Sequence, residues 1–185
     1  KFFIFYLFFL NAYAYGVNKK YYHNEQGILS LMYHRFDENK YPSTNIRMDI
    51  FKKQIDLIKM YELQFYNPIN FEKEFEAPKN NKKILITIDD AFSSFYENAW
   101  PYLKKEKIPF ILFVSTQSVG KNGYMTWEQI REVENSSFGF IGNHSHSHEY
   151  LVNFSLARIF FHLDSAVYHL KLKLNLLYHL KLTNP

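Results

Sequence analysis

The run Lys83-Ile84-Leu85-Ile86-Thr87-Ile88-Asp89-Asp90 constrains the fold of this 185-residue chain more than any other segment. Four large aliphatic side chains demand burial, and two carboxylates oppose it immediately afterwards. An apolar stretch of this length with polar residues at its ends is the pattern of a buried strand, most readily one in a parallel sheet. In α/β barrels the reactive side chains sit where strands end, because there the chain leaves the core and meets substrate. Asp89 and Asp90 occupy such a position. Adjacent residues on an extended chain point to opposite sides, so the turn after the strand must separate the duties of the two carboxylates.

Further along, His144-Ser145-His146-Ser147-His148 offers two imidazoles four residues apart, a spacing that places both on one face of a helical turn. One carboxylate and two imidazoles make a three-ligand metal site with positions left for water and substrate, the arrangement of a catalytic zinc rather than a structural one. Taken singly, each motif has a plainer reading. A strand-end Asp-Asp pair is often just solvated, and a His-rich loop binds metals adventitiously. Their occurrence together favours the site. The chain has no Cys, so disulfides and thiolate metal sites are excluded. Its formal charge of +4 is spread among interleaved acids, without the basic stripe that nucleic acid requires.

In these motifs the chain resembles the polysaccharide deacetylase group (NodB homology, carbohydrate esterase family 4). That family carries Thr-Phe-Asp-Asp-Gly and then His-Ser/Thr-x-x-His; here they stand as Thr87-Ile88-Asp89-Asp90-Ala91 and His144-Ser145-His146-Ser147-His148. Residues 27–36 look like the first strand of many secreted members, and residues 109–114 match the family's next strand. The resemblance covers residues 27–153. It implies a distorted (β/α) barrel of the NodB type, incomplete at the C-terminus, and a metal-dependent hydrolase that removes N-acetyl groups from polysaccharide containing N-acetylglucosamine. It further implies Asp90, His144 and His148 as ligands of a divalent metal, zinc above all, and Asp89 as the general base. Thr87, Ser145, His146 and His34 would support the site or line the substrate; His34 fits a bystander better than a replacement acid. Ile88 stands where the family has an aromatic. Ala91 stands where it has Gly, and because Ala tolerates positive φ poorly the loop is expected to differ.

Local patterns supply the rest of the scaffold. Residues 28–34, 84–88, 109–114 and 138–142 read as strands. Residues 48–61 form an amphipathic helix, with apolar Ile50, Phe51, Ile55, Leu57, Ile58 and Met60 and with Asp49 in the first turn. Residues 94–107 read as a helix in which Pro101 lies near a first turn or marks a kink. Residues 126–133 form a helix capped by Thr126, with Trp127 packed on it. Strands alternating with helices in this way argue for a parallel sheet.

The two ends read differently. Residues 1–14, with Lys1, an apolar stretch over 2–10 and Ala12-Tyr13-Ala14, fit a cleavable signal peptide, followed by a polar leader at 15–26. Export and the absence of a stable membrane span after cleavage follow as expectations, because a span takes about 20 apolar residues. From residue 154 the chain turns rich in Leu, His and Phe, with Asp164 its only acid. The resembled family would continue with Arg-, Trp- and His-bearing motifs that are not found there. The tail therefore reads as atypical, the mark of a truncation or a frame change near residue 157, expected to pack poorly or as an isolated helix, and the short form is expected to be weakly active at best. The competing class is a non-catalytic carbohydrate-binding or scaffold protein on a decayed deacetylase fold.

Overall fold

The structure is a computed structural model and describes residues 27–70 and 82–174. The signal-peptide and leader readings, and the tail beyond residue 174, lie outside the described residues. Elements follow in the order β1 (Ile28–Tyr33), β2 (Arg35–Phe36), β3 (Asn45–Ile46), α1 (Met48–Met60), β4 (Gln64–Phe65), β5 (Lys83–Asp89), α2 (Trp100–Glu106), β6 (Phe110–Val114), α3 (Trp127–Glu134), β7 (Gly139–Asn143) and α4 (Leu156–Lys173).

The architecture is the α/β one expected. The main sheet runs β1-β5-β6-β7, with β4 also on β5, and every pairing is parallel. Among the described residues this order fits the incomplete barrel expected. The central strand β5 buries Ile84, Ile86 and Ile88, and β6 buries Phe110, Leu112 and Val114. Strands covered on both faces need such runs of apolar residues. The aromatic rings of Phe36, Phe51, Phe95, Phe110 and Trp100 interlock in the core at centroid separations of 5.2–6.0 Å.

Several local expectations are met and several are corrected. Helix α1 buries Met48, Phe51, Ile55 and Ile58. Ile50, Leu57 and Met60, also counted as apolar, lie on its exposed side, so the buried stripe is narrower than the composition implied. Its first turn is closed by a side chain that spacing did not reveal, with the Met48 N–H donating to Asp37 Oδ1 at 2.8 Å. Helix α3 starts on the Thr126 cap, and a reciprocal capping box with Gln129 completes it.

The expected single helix over 94–107 is instead a π-helical turn, Phe95–Ala99, feeding α2. Pro101 falls in the first turn of α2, and its ring crowds the carbonyl four residues back; the wider turn, with the Trp100 N–H donating to Phe95 O, absorbs the conflict. The tail also departs from expectation. Helix α4 docks on β7 through a stripe of His162, Ala166 and Leu170, continued by Leu174 at the same four-residue interval, and Arg131 Nη1 donates to Lys173 O at 3.0 Å. The helix runs as far as Lys173. No helix among the described residues is long and apolar enough to cross a membrane.

Candidate active site at the carboxyl ends of the strands

Parallel register brings the first site residues together. Tyr33 pairs with Ile88, so His34 and Asp89, one step further along each strand, become neighbours. His34 Nε2 lies 3.9 Å from Asp89 Oδ2. Asp89 ends β5, and Asp90 turns away from it in the left-handed region (φ 73°), followed by Ala91 in the same region (φ 55°). Ala91 thus adopts the positive φ that Ala tolerates poorly. A left-handed non-Gly residue costs about 1–2 kcal/mol. It is held here because Ala91 is fully buried and its carbonyl accepts the Met125 N–H at 2.8 Å, while the Ser93 N–H donates to Gly123 O at 3.0 Å. Across this turn the Arg35 guanidinium lies 3.4 Å from the centroid of the Phe92 ring, tying β2 to the end of β5.

The imidazoles arrive from β7. His144 and His148 do not share a helical turn as their spacing proposed. The segment is a tight loop in which Ser145 (φ 64°) and His148 (φ 57°) are both left-handed. Local side chains shape it. Asn143 Oδ1 accepts the Ser145 N–H at 2.7 Å, and Ser145 Oγ accepts the His148 N–H at 3.1 Å. From β6, Ser115 Oγ donates to His144 O at 2.8 Å, and the Thr116 and Gln117 amides donate to Ser145 O and His146 O. The four-residue interval thus does its work through a loop.

The outcome is convergence. Asp90 Oδ1 lies 3.6 Å from His144 Nε2 and 3.3 Å from His148 Nε2, and the two Nε2 atoms are 3.1 Å apart. Four donors at zinc-like distances near 2 Å occupy the corners of a tetrahedron with edges of about 3.3 Å, so these three atoms are spaced as one face of such a site. They could hold one metal ion and leave a corner open, and they are the one such group among the described residues. Asp89 stands outside the trio. Burial lifts its carboxyl above the ordinary pKa; the charges of His144 and His34 oppose this, and that of Asp90 adds to it.

The remaining candidates fall around this centre. Thr87 is buried within β5 between Met32 and Ile111, on the same side of the strand as Asp89. His146 faces away from Asp90. Its Nδ1 is 2.8 Å from Thr116 Oγ1 and its ring stacks on His169, and burial, reinforced by His169 and His162, lowers its pKa. Open clefts flank the cluster. One of about 410 Å³ is lined by His144, His148, Tyr150, Leu151 and Leu163, and another of about 290 Å³ by Tyr33, His34, Thr44 and Asn45. Sequence reasoning missed Ser115, Thr116, Asn143 and His162. For Ser115 and Thr116 a signal existed, since they follow an apolar strand just as Asp89 and Asp90 do.

The profile of the family described as "Polysaccharide deacetylase" matches residues 76–175, more than half of the sequence. The chain belongs to the polysaccharide deacetylase family. The match runs through α4, past the boundary drawn at residue 154. A poly-beta-1,6-N-acetyl-D-glucosamine N-deacetylase of Staphylococcus epidermidis is 27% identical over 157 residues, covering 74% of this chain and 54% of the relative. An enzyme of the same name from Staphylococcus aureus is 29% identical over 133 residues, covering 63% and 45%. The chain thus spans about half the length of the curated relatives it matches. Among solved structures, IcaB from Ammonifex degensii superposes with a TM-score of 0.72 at 28% identity, covering 81% of this chain and 70% of that one. The Streptococcus pyogenes deacetylase PplD in complex with acetate shares the fold, with a TM-score of 0.69 at 23% identity and coverage of 80% and 69%.

Proposed function

We propose that this protein is a metal-dependent hydrolase that removes N-acetyl groups from an N-acetylglucosamine polysaccharide of the cell wall or an exopolysaccharide. The observation that carries the reading is the convergence of Asp90, His144 and His148 beside a separate buried carboxylate, Asp89. In this reading the trio holds a divalent cation. Two imidazoles and a carboxylate with no thiolate fit zinc. Bound there, the cation supplies Lewis acidity towards the amide carbonyl and acidifies water. The names of the staphylococcal relatives support a poly-N-acetylglucosamine substrate. The apolar residues 2–10 followed by Ala12-Tyr13-Ala14 support export to where such polymers lie.

The chain's own residues account for the proton work and the choice of a polymer. Asp89 takes the proton of the attacking water, and its burial raises its affinity for that proton. The protonated Asp89 then gives that proton to the leaving amine, while His34 Nε2, 3.9 Å from its Oδ2 and beyond hydrogen-bond reach, stands by as a neighbour. Ser115 and the Thr116 amide fix the backbone of His144 and Ser145, which keeps the imidazole aimed at Asp90. Clefts open on both sides of the cluster, which suits a chain passing across the strand ends better than a small molecule enclosed in a pocket.

The test uses the full chain and two variants, measuring bound zinc and acetate released from N-acetylglucosamine oligomers. Wild type is expected to bind about one zinc per chain. Asp89→Asn keeps the metal and loses roughly 10²–10⁴-fold in turnover. A His144→Ala/His148→Ala double variant loses both. Unchanged zinc stoichiometry in the double variant refutes the ligand set. Full turnover in Asp89→Asn refutes the base. Tight polymer binding without acetate release, both in this chain and in a form extended at its C-terminus, supports the non-catalytic carbohydrate-binding class instead.

A further inference from the structure

We infer that His162, on α4, is a positioning residue that sets the pose of His148 through Ser147. The inference rests on the metal-site reading above only for its functional consequence; the geometry stands by itself. The loop 144–148 serves two sides. His144 and His148 converge on Asp90, whereas His146 and Ser147 turn towards α4 and the end of β6.

His148 is the weakly held member. Its side chain is 55% exposed, it lies beyond the end of β7, and its backbone is left-handed. Such a conformation persists only where its surroundings over-determine it. One restraint comes from inside the loop, the Ser145 Oγ that accepts the His148 N–H. From outside, the end of β6 holds the backbone of residues 144–146, and the restraint next to His148 is the hydrogen bond between Ser147 Oγ and His162 Nδ1, at 3.0 Å.

His162 is built to be rigid. It is 6% exposed, stacked on Phe154 with centroids 5.2 Å apart and rings at 28°, and edge-on to Phe161 at 5.6 Å. The rest of its stripe, Ala166, Leu170 and Leu174, is apolar. An imidazole buried there has to be repaid by a hydrogen bond, and an apolar side chain would serve packing better. Ser147 supplies that bond and, as the neighbour of His148, transmits the constraint. A second imidazole of α4, His169, stacks on His146 at 5.0 Å and supports the same loop from below.

The experiment follows two readouts on wild type, His162→Phe, His162→Asn, Ser147→Ala and the double Ser147→Ala/His162→Phe. The first is amide hydrogen exchange of residues 144–148 in the metal-free protein. The second is zinc affinity by competition with a chromophoric chelator. His162→Phe fills the same space without the bond. It is expected to speed exchange of the loop and to weaken zinc about tenfold, the scale seen when a group that orients a metal ligand is lost. His162→Asn, whose amide can reach the place of Nδ1, recovers most of the loss. Ser147→Ala, a small change outside the helix, reproduces it even if His162→Phe folds poorly, and the double variant loses no more than either single one. Wild-type exchange in both His162→Phe and Ser147→Ala, or additive losses in the double variant, overturns the inference. A wild type that shows the exchange effect but binds no zinc overturns the metal reading and leaves the positioning role standing.

Discussion

Removing one oxygen atom, in Ser115→Ala, tests whether the end of β6 holds the site. Ser115 is 1% exposed, directly follows β6, and donates its hydroxyl to His144 O at 2.8 Å. The His144 N–H is held from the same side, donating to Val114 O at 3.1 Å. Both backbone polar groups of one imidazole of the candidate site thus rest on two consecutive residues of β6 and its exit. Ala fills nearly the volume of Ser, so the substitution opens almost no cavity and its effect is the lost hydrogen bond. A net hydrogen bond is worth about 1 kcal/mol, and leaving its acceptor poorly solvated raises the cost to about 1.5 kcal/mol. For a domain of this size that lowers Tm by about 3–6 °C. With His144 less firmly seated, zinc affinity is expected to fall several-fold, while Ser137→Ala, on an exposed loop, changes neither quantity. The assays are thermal unfolding by circular dichroism and zinc competition with a chelator. A Ser115→Ala protein with Tm within about 1 °C of wild type and unchanged zinc affinity would show that the hydroxyl does not hold His144.

Two further predictions concern the scaffold. At Gly139 an added Cβ would lie 2.5 Å from Val133 O, a carbonyl that already accepts the Ser136 N–H and the Ser136 hydroxyl. Since backbone cannot swing aside, Gly139→Ala is expected to destabilise by about 2–3 kcal/mol, read as a lower denaturation midpoint; an unchanged midpoint refutes the packing argument. Glu132 accepts hydrogen bonds from Tyr96, Lys104 and Trp100, which hold its carboxyl down at about 2, below the usual 4.5. A depressed carboxylate stabilises the fold above the unfolded value of 4.5, and that contribution is lost as pH falls towards 2. Because the Glu132 side chain is 42% exposed, solvent screening reduces the effect to about 1 kcal/mol. The stability gap between wild type and Glu132→Gln should therefore be present at neutral pH and close on acidification through that window. A gap that widened in acid would contradict it.

What the sequence determined by itself is what period and punctuation can encode. The aliphatic runs at 84–88 and 109–114 could be satisfied only by burial, and Thr126 ahead of an amphipathic stretch marked the start of a helix. The composition of the candidate site was legible because the Asp-Asp pair and the His cluster occur together, each having a plainer reading alone. The shape of the loop was not. Two histidines four apart converge equally well from a helical turn or from a loop with two left-handed residues, and local spacing does not distinguish them. Nor did the apolar pattern of residues 156–174 reveal what α4 packs against, because one buried imidazole and three small or aliphatic residues make a weak stripe. Those choices belong to the sheet order. β6 lies between β5, which carries Asp89 into Asp90, and β7, which leads into His144. Strands two apart are separated by about 10 Å, so both exits must lean across the end of β6 before their side chains can meet. Ser115 and Thr116 matter because they stand at that crossing, and only the tertiary arrangement put them there.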